Sequence, residues 1–186
     1  MEHDNLYIST YLVGSVKEDF TGRKEFDIYH HDYNKGSLWQ IFQDIVSRVN
    51  SNNEDDLVVI CYEGHHFADT YNRSSFLSAI FKCAELGTHL LIGGCDNFNN
   101  MVPISPNLYW IDMFSKSNFY VVFRPAFQAI LTAMPQKEEQ LEDVLSRILP
   151  NKLILNPFIT DCSKECEATK KLLLYNRVVS KYSILK

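Results

Sequence analysis

The chain has 186 residues, a net charge of −5 at pH 7 and a hydrophobic fraction of 46%. This length suffices for one domain with a hydrophobic core, and the composition excludes an intrinsically disordered chain. The acidic balance argues against a general nucleic-acid binder, which would carry a basic face. No apolar run reaches the ~20 residues of a membrane span. The prediction is therefore a single domain over residues 1–186.

The first half of the chain alternates β-branched runs with amphipathic segments. Ser37 is a candidate N-cap, because apolar residues recur at helical spacing after it. A strand, a helix and a strand joined by short connections predict a βαβ unit with parallel strands. In order, we predict strands at 6–13 and 26–29, a loop at 30–36, a helix after Ser37, a strand at 57–62, a helix at about 73–86 with Ala84 inward, and a strand at 89–92.

The second half begins with an aperiodic segment, 95–107, which is rich in Asp, Asn, Pro and Ser and predicts a long irregular loop. The remaining predictions are a strand at 118–123, a helix near Pro125, an amphipathic helix at 138–149, a strand at 153–155 and a basic helix at about 164–182. Together the elements predict a three-layer, Rossmann-like α/β fold, with a mostly parallel sheet flanked by helices.

A polar cluster directly follows the buried strand at 57–62. It contains Glu63, His65, His66 and Asp69. In open α/β sheets, ligands bind beyond the carboxyl ends of the strands. Carboxylate and imidazole groups are also ligands of divalent cations. The cluster is therefore a candidate ligand or metal site, although a solvated loop at the end of a strand has the same composition.

Three segments resemble small bacterial glycosyltransferases of the GT-A type that occur in surface-polysaccharide clusters. The segments are Leu38-Trp39, the run from Val59 to Phe67, and Gly93-Gly94 continuing through 98–104 to Trp110-Ile111-Asp112. The resemblance covers roughly residues 36–160. It implies a GT-A, nucleotide-diphospho-sugar transferase-like fold. It also implies a nucleotide-sugar donor, first of all a UDP-sugar, a glycan acceptor, and Mn²⁺ or Mg²⁺ on the diphosphate.

The sequence departs from this family at the acidic motif. The family's strand typically ends in Cys-Glu-Asp-Asp-His, whereas here Cys61 is followed by Tyr62, Glu63, Gly64 and His65. Only one carboxylate remains, so the predicted metal ligands are Glu63 with His65 or His66, and the motif is degenerate. The alternative is a catalytically inactive nucleotide- or sugar-binding module of the same fold.

Further site residues follow from the chemistry of sugar transfer. A carboxylate must take the acceptor's proton in an inverting enzyme, and Asp112 and Asp96 are the candidates. Asp112 is equally consistent with a turn cap, and Trp39 and Trp110 with core packing. The predicted donor-binding residues are Lys35, Trp39, Tyr62, Gly93, Gly94 and Trp110.

Two other patterns leave alternatives open. A histidine-rich metal-dependent hydrolase would draw on His30, His31, Asp32, His65, His66, Asp69 and His89. The basic C-terminal segment predicts either peripheral contact with an anionic membrane or a solvated helix face; its basic residues are Lys164, Lys170, Lys171, Arg177, Lys181 and Lys186. The five cysteines are irregularly spaced, which is typical of reduced thiols in a cytoplasmic protein. The sequence does not set the oligomeric state.

Overall fold

The computed structural model describes residues 7–15, 20–32, 36–52, 54–161 and 166–183. Within these residues the chain forms ten strands and five helices. In chain order they are β1 (Ile8–Val13), β2 (Phe26–His31), α1 (Leu38–Asn52), β3 (Leu57–Tyr62), α2 (Arg73–Glu85), β4 (Leu90–Ile92), β5 (Asn97–Phe98), β6 (Met101–Ser105), β7 (Leu108–Ile111), β8 (Phe114–Ser115), β9 (Phe119–Phe123), α3 (Arg124–Thr132), α4 (Leu141–Ile148), β10 (Lys152–Leu155) and α5 (Glu167–Ser183).

Eight strands form one sheet in the order β2-β1-β3-β9-β4-β10-β7-β6, and β5 pairs with β8 in a small second sheet. Strands β1, β2, β3, β4, β6 and β10 run in one direction, while β9 and β7 run against them. The predicted α/β fold with a mainly parallel sheet is confirmed. Strands β3 and β4 are parallel to each other, as expected, but β9 lies between them.

Both faces of the sheet are covered. Along β3, Val58, Ile60 and Tyr62 pack into the same cluster as α1, α3, α4 and α5. Val59 and Cys61 point the other way, into the cluster that contains α2. This alternation explains why β3 is an uninterrupted apolar run, since a strand buried on both faces needs apolar residues at every position. The layers are helix, sheet and helix.

The ends of α1 and α2 follow the expected capping chemistry. Ser37 Oγ accepts from the Gln40 N–H at 3.3 Å, and Gln40 Oε1 accepts from the Ser37 N–H at 2.9 Å. This reciprocal pair is a capping box, so the predicted N-cap is confirmed. Gly87 has φ +61° just beyond α2, where a residue without Cβ adopts the left-handed conformation at least cost.

The structure contradicts several local predictions. The predicted loop at 95–107 is wrong, because β5 and β6 lie within it and pair with β8 and β7. His30 and His31 belong to β2 rather than to a loop. Ala84 is exposed, not inward. Helix α4 begins at Leu141, after Glu138 takes a left-handed φ of +67°.

One lysine of helix α5 forms hydrogen bonds within the fold. Lys171 Nζ donates to Asn97 Oδ1 at 2.8 Å and to the carbonyl of Phe98, which ties α5 to β5. Lys170 forms an exposed pair with Glu167 at 3.1 Å. Lys164 and Lys186 lie outside the described residues. Peripheral membrane contact through this segment stays a prediction. Among the described helices, none is both long and apolar enough to span a bilayer.

Candidate functional site

The carboxyl ends of β1 and β3 lie side by side. Val13 is in register with Tyr62, so Gly14 and Glu63 leave the sheet together. Gly14 has φ +85°, and a Cβ on it would lie 3.1 Å from Glu63 Cβ and 3.3 Å from Glu63 Oε2. The carboxylate of Glu63 therefore packs over a residue without a side chain. This is the edge at which open α/β sheets bind their ligands.

A cavity of about 350 Å³ opens at this point. We call it the β3-end cavity. It lies among the first residue of α1, the end of β3, the start of β9 and the first turn of α4. Its lining residues are Leu38, Tyr62, Glu63, Ser117, Asn118, Tyr120, Leu141 and Glu142. Two helices thus begin at the cavity, and two carboxylates, Glu63 and Glu142, line it.

Glu142 lies in the cavity wall, although no local sequence pattern marks it as a site residue. Its Oε1 accepts from the Ser117 N–H at 3.3 Å and lies 3.4 Å from the Tyr120 hydroxyl, which itself donates to the Ser117 carbonyl at 2.5 Å. Burial, reinforced by the charge of Glu142, raises the pKa of Tyr120 well above its usual value. Tyr120 therefore stays a neutral donor at physiological pH. Glu142 is held at the cavity wall, with Oε2 in no hydrogen bond to the described residues.

Of the predicted donor-binding residues, Tyr62 lines the cavity, whereas Trp39 belongs to the hydrophobic core. Tyr62 is 7% exposed and donates its hydroxyl to the Leu38 carbonyl at 3.3 Å. Trp39 is 3% exposed and stacks on Phe42 with ring centroids 6.3 Å apart, which is the geometry of core packing. Lys35 lies outside the described residues.

The predicted metal ligands do not form one coordination group. His65 is 2% exposed and enclosed by phenyl rings, with its centroid 4.4 Å from Phe67 and 5.1 Å from Phe119. Glu63 is exposed at the cavity. His66 is exposed, and its carbonyl accepts from the Asp161 N–H at 2.7 Å. Across the described part of the chain, no three His, Cys, Asp or Glu side chains form a group that could hold a metal ion. These residues do not fit the predicted cation.

Asp112 lies at the opposite end of the sheet from Glu63. Trp110 on β7 pairs with Leu153 on β10 in antiparallel register, which carries Asp112 towards the amino end of β10. Partial burial alone would raise the pKa of Asp112. Hydrogen bonds from both nitrogens of Asn100 and from the Met113 N–H outweigh it and lower that pKa. The side chain joins the two segments that flank the β6–β7 hairpin at its open end.

Asp96 and Trp110 also make their contacts away from the β3-end cavity. Asp96 forms a surface pair with Lys116 at 3.4 Å, and both side chains are substantially exposed. Trp110 Nε1 donates to the Pro150 carbonyl at 2.9 Å, just before β10 begins. Neither residue lines the β3-end cavity. The structure therefore does not bring Asp96, Asp112 or Trp110 to Glu63.

The two glycines after β4 are packed into the interior. Gly93 donates its N–H to the Phe119 carbonyl at 3.2 Å and accepts from the Ile159 N–H at 2.9 Å. A Cβ on Gly93 would lie 2.8 Å from Thr160 Cγ2 and 2.9 Å from Phe119 Cδ1. Gly94 is buried as well. At Gly93 the missing side chain permits close packing of the segment after β10.

We expect Gly93→Ala to lower the free energy of unfolding by about 1–3 kcal/mol, because overpacking a buried site displaces its neighbours. Chemical denaturation measures this change. Thr160→Ser removes the methyl carbon nearest the new Cβ, so the double variant should recover part of the loss. If the effects of the two substitutions simply add, the contact with Thr160 does not set the requirement for glycine.

The residues of the hydrolase alternative remain dispersed. His30 and His31 lie on β2. His89 lies just before β4, where its Nδ1 accepts from the Asn151 N–H at 3.3 Å. Within the described residues these groups provide no metal centre for a hydrolase.

A larger cavity, of about 580 Å³, lies further along the same edge. It separates the loops after β3 and β10 from α5, and its wall contains Asp69, Asp161 and Phe158. Its carboxylates, Asp69 and Asp161, stand several residues beyond the ends of β3 and β10, whereas Glu63 directly follows β3. The β3-end cavity is therefore the better candidate for a site with a carboxylate directly at a strand end.

Comparison with solved structures finds similar chains at very low sequence identity. A197 from STIV superposes with a TM-score of 0.53 and 10% identity, over 80% of this chain and 81% of that one. Two structures of UDP-glucose pyrophosphorylase also match. The complex with UDP-glucose has a TM-score of 0.47 and 6% identity, over 69% of this chain and 57% of that one. The apo form has a TM-score of 0.45 and 9% identity, over 70% of this chain and 55% of that one.

The chain thus spans little more than half the length of the pyrophosphorylase structures. No protein-family model matches the sequence, and no curated protein does. The similarity to A197 supports the fold alone.

Proposed function

We propose that this protein binds a nucleotide sugar at the β3-end cavity and transfers the sugar to a glycan acceptor. The observation that carries the proposal is the position of Glu63. Its carboxylate leaves the end of β3, packs over Gly14 at the end of β1, and lines a cavity where two helices begin. The GT-A resemblance of the sequence points to the same strand end.

The two helix N-termini differ in charge, which suggests how a donor would lie. Helix α1 has no acidic residue in its first turn, so its N–H groups and dipole favour a diphosphate. Helix α4 has Glu142 and Asp143 in its first turn. A diphosphate would therefore lie towards α1, with the sugar and the acceptor hydroxyl towards α4.

The two carboxylates of the cavity, Glu63 and Glu142, would have different roles in this reaction. Glu63 would accept hydrogen bonds from the hydroxyls of the ribose or the sugar. Glu142 would take the proton of the acceptor hydroxyl, a role for which its neighbour Tyr120 keeps it positioned. Charge on the departing diphosphate would be stabilised by the N-terminus of α1. No step is assigned to a metal ion, since the described residues do not assemble ligands for one.

A second candidate is binding of the same ligand without transfer. It is favoured by Gly64, which stands where the related motif carries an acid and has no atom within 4 Å of its Cβ position. Binding measurements and transfer assays separate the two functions, because the non-catalytic module would bind the donor but leave the sugar on it.

We expect Glu63→Gln to weaken nucleotide-sugar binding by at least about tenfold, because a neutral amide replaces the acceptor of charge-assisted hydrogen bonds. Thermal shift with UDP-, GDP- and CMP-sugars, with and without Mn²⁺, measures this, since a ligand of the folded state raises Tm. Glu85→Gln, on the exposed surface of α2, is the matched control. Glu142→Gln should still bind the nucleotide sugar but lose transfer of the sugar, because the amide cannot take the proton of the acceptor hydroxyl. A donor that shifts wild type and Glu63→Gln equally would contradict this site.

Gly64→Asp tests whether the strand end descends from a metal-binding motif. Gly64 has φ +81° and open space around its Cβ position, so the substitution should cost only about 1–2 kcal/mol of backbone strain. We expect it to make the thermal shift with a nucleotide sugar dependent on Mn²⁺, because two adjacent carboxylates suit a hard cation. No gain of Mn²⁺ dependence would count against transferase ancestry of this loop.

A further inference from the structure

The two edges of the eight-stranded sheet differ in how they are protected. At one edge, β6 contains Pro103, and its pairing with β7 has a register shift between Pro103 and Ser105. Proline and irregular register both discourage further pairing. At the other edge, β2 reads Phe-Asp-Ile-Tyr-His-His, with no proline, glycine or lysine and an unbroken register to β1. We propose that a second copy of this chain pairs antiparallel with β2, joining the two sheets into one.

The backbone of β2 has hydrogen-bonding groups available for such pairing. The Ile8 N–H donates to the Glu25 carbonyl at 2.8 Å, and β1 and β2 are parallel with Ile8 opposite Phe26. In a parallel ladder this register directs the backbone N–H and C=O groups of Asp27, Tyr29 and His31 towards β1. Phe26, Ile28 and His30 therefore direct their N–H and C=O groups outward. Within the described residues, no strand pairs with that side of β2.

The side chains of β2 are complementary to themselves in one register. With Tyr29 on a two-fold axis perpendicular to the sheet, Ile28 opposes His30 of the second copy in a hydrogen-bonded pair. On the other face, Asp27 opposes His31 of the second copy, and a neutral or charged imidazole can donate to that carboxylate. The contact between Asp27 and His31 therefore forms twice, once on each side of the axis. This charge complementarity selects a second copy as the occupant of the edge.

An aromatic row would cross the axis. Tyr29 is 44% exposed and stacks on Tyr11 of β1, with ring centroids 5.2 Å apart and planes at 22°. The Tyr29 hydroxyl donates to Asp27 at 2.8 Å, which holds the ring in place before any pairing. In the proposed register, Tyr29 meets Tyr29 of the second copy across a close, non-hydrogen-bonded position. Four stacked tyrosines would then cover a face that is half exposed in one copy.

The first test is the oligomeric state of the full chain. Because six-residue edges bury little area, we expect a dimer that dissociates in the micromolar range, visible by sedimentation velocity between about 1 and 200 μM. Tyr29→Lys places two like charges on the axis and should raise the dissociation constant by more than about tenfold. Tyr29→Phe keeps the ring and should still dimerise. A monomeric wild-type chain, or a dimer unaffected by Tyr29→Lys, would overturn the proposal.

The second test gives a positive signal for the register. Tyr29→Cys should form an intermolecular disulfide on mild oxidation, because its two copies face each other on the axis. Ile28→Cys should not, since in this register Ile28 faces His30. The wild-type chain, with its native cysteines, is the baseline. Crosslinking of Ile28→Cys in preference to Tyr29→Cys would refute this register, and crosslinking of neither would refute the pairing itself.

Discussion

Glu25→Ala is expected to lower the free energy of unfolding by about 2–3 kcal/mol. Glu25 is 2% exposed, accepts a hydrogen bond from the Tyr71 hydroxyl, and has Arg73 Nε at 3.4 Å. Removing one partner of a buried hydrogen bond leaves the other without compensation, which costs more than the bond contributes. The substitution would leave the Tyr71 hydroxyl without its acceptor, whereas the Arg73 side chain, 39% exposed, keeps its access to water.

The location of Glu25 increases the effect. It lies just before β2, whereas Tyr71 belongs to the connection between β3 and α2 and Arg73 is the first residue of α2. Arg23 stacks over the same connection, 4.1 Å from the ring centroid of Phe67 and 4.3 Å from that of Tyr71. Burial, with the hydrogen bond and charge of Glu25, raises the pKa of Tyr71. The cluster therefore joins two segments far apart in sequence.

Urea denaturation of Glu25→Ala, Tyr71→Phe and the double variant measures the coupling. The double variant should lose less stability than the sum of the two single variants, because no hydroxyl is then left without its acceptor. Glu85→Ala is the control, since its pair with Lys82 is exposed and contributes no more than about 0.5 kcal/mol. A loss in Glu25→Ala no larger than in Glu85→Ala would contradict a structural role for Glu25.

The elements that could be predicted from the sequence are those whose signal is local. Strand β3 has the predicted bounds, because Leu57–Tyr62 is apolar throughout and flanked by acids and Gly64. Ser37 caps α1 because Gln40 stands three residues later. Such patterns depend on neighbours in sequence. The direction of β9 depends on the path between β8 and β9, which no local pattern encodes.

The candidate site was only partly predictable for the same reason. Glu63 is predictable because it directly follows a strong strand. Glu142 is not, because only the packing of α4 against β8 and β9 brings it to that strand end. Asp112 lies elsewhere because the segment before it forms the hairpin of β6 and β7, not the predicted loop. Pro106-Asn107 between two β-prone runs was a turn signal that predicts the hairpin of β6 and β7.

Alkaline pH is expected to reduce stability through Cys83, by about 3 kcal/mol between pH 9 and 12. Cys83 is 0% exposed on α2, and burial raises the pKa of its thiol from 9.0 to about 12. Below pH 9 the thiol is protonated in both states, so its contribution to stability is complete. Above pH 9 the unfolded chain releases the proton while the folded chain keeps it. Stability is therefore lost as pH rises, by at most about 1.4 kcal/mol per pH unit.

Cys83→Ala isolates this contribution. The variant loses some packing energy at every pH, but its free energy of unfolding should fall less steeply than that of wild type between about pH 8.5 and 10. Above about pH 10 both should decline, because burial also raises the pKa of Tyr120. Urea denaturation in reducing buffer across this range provides the comparison. Parallel decline of the two proteins below pH 10 would show that Cys83 does not hold its proton in the folded state.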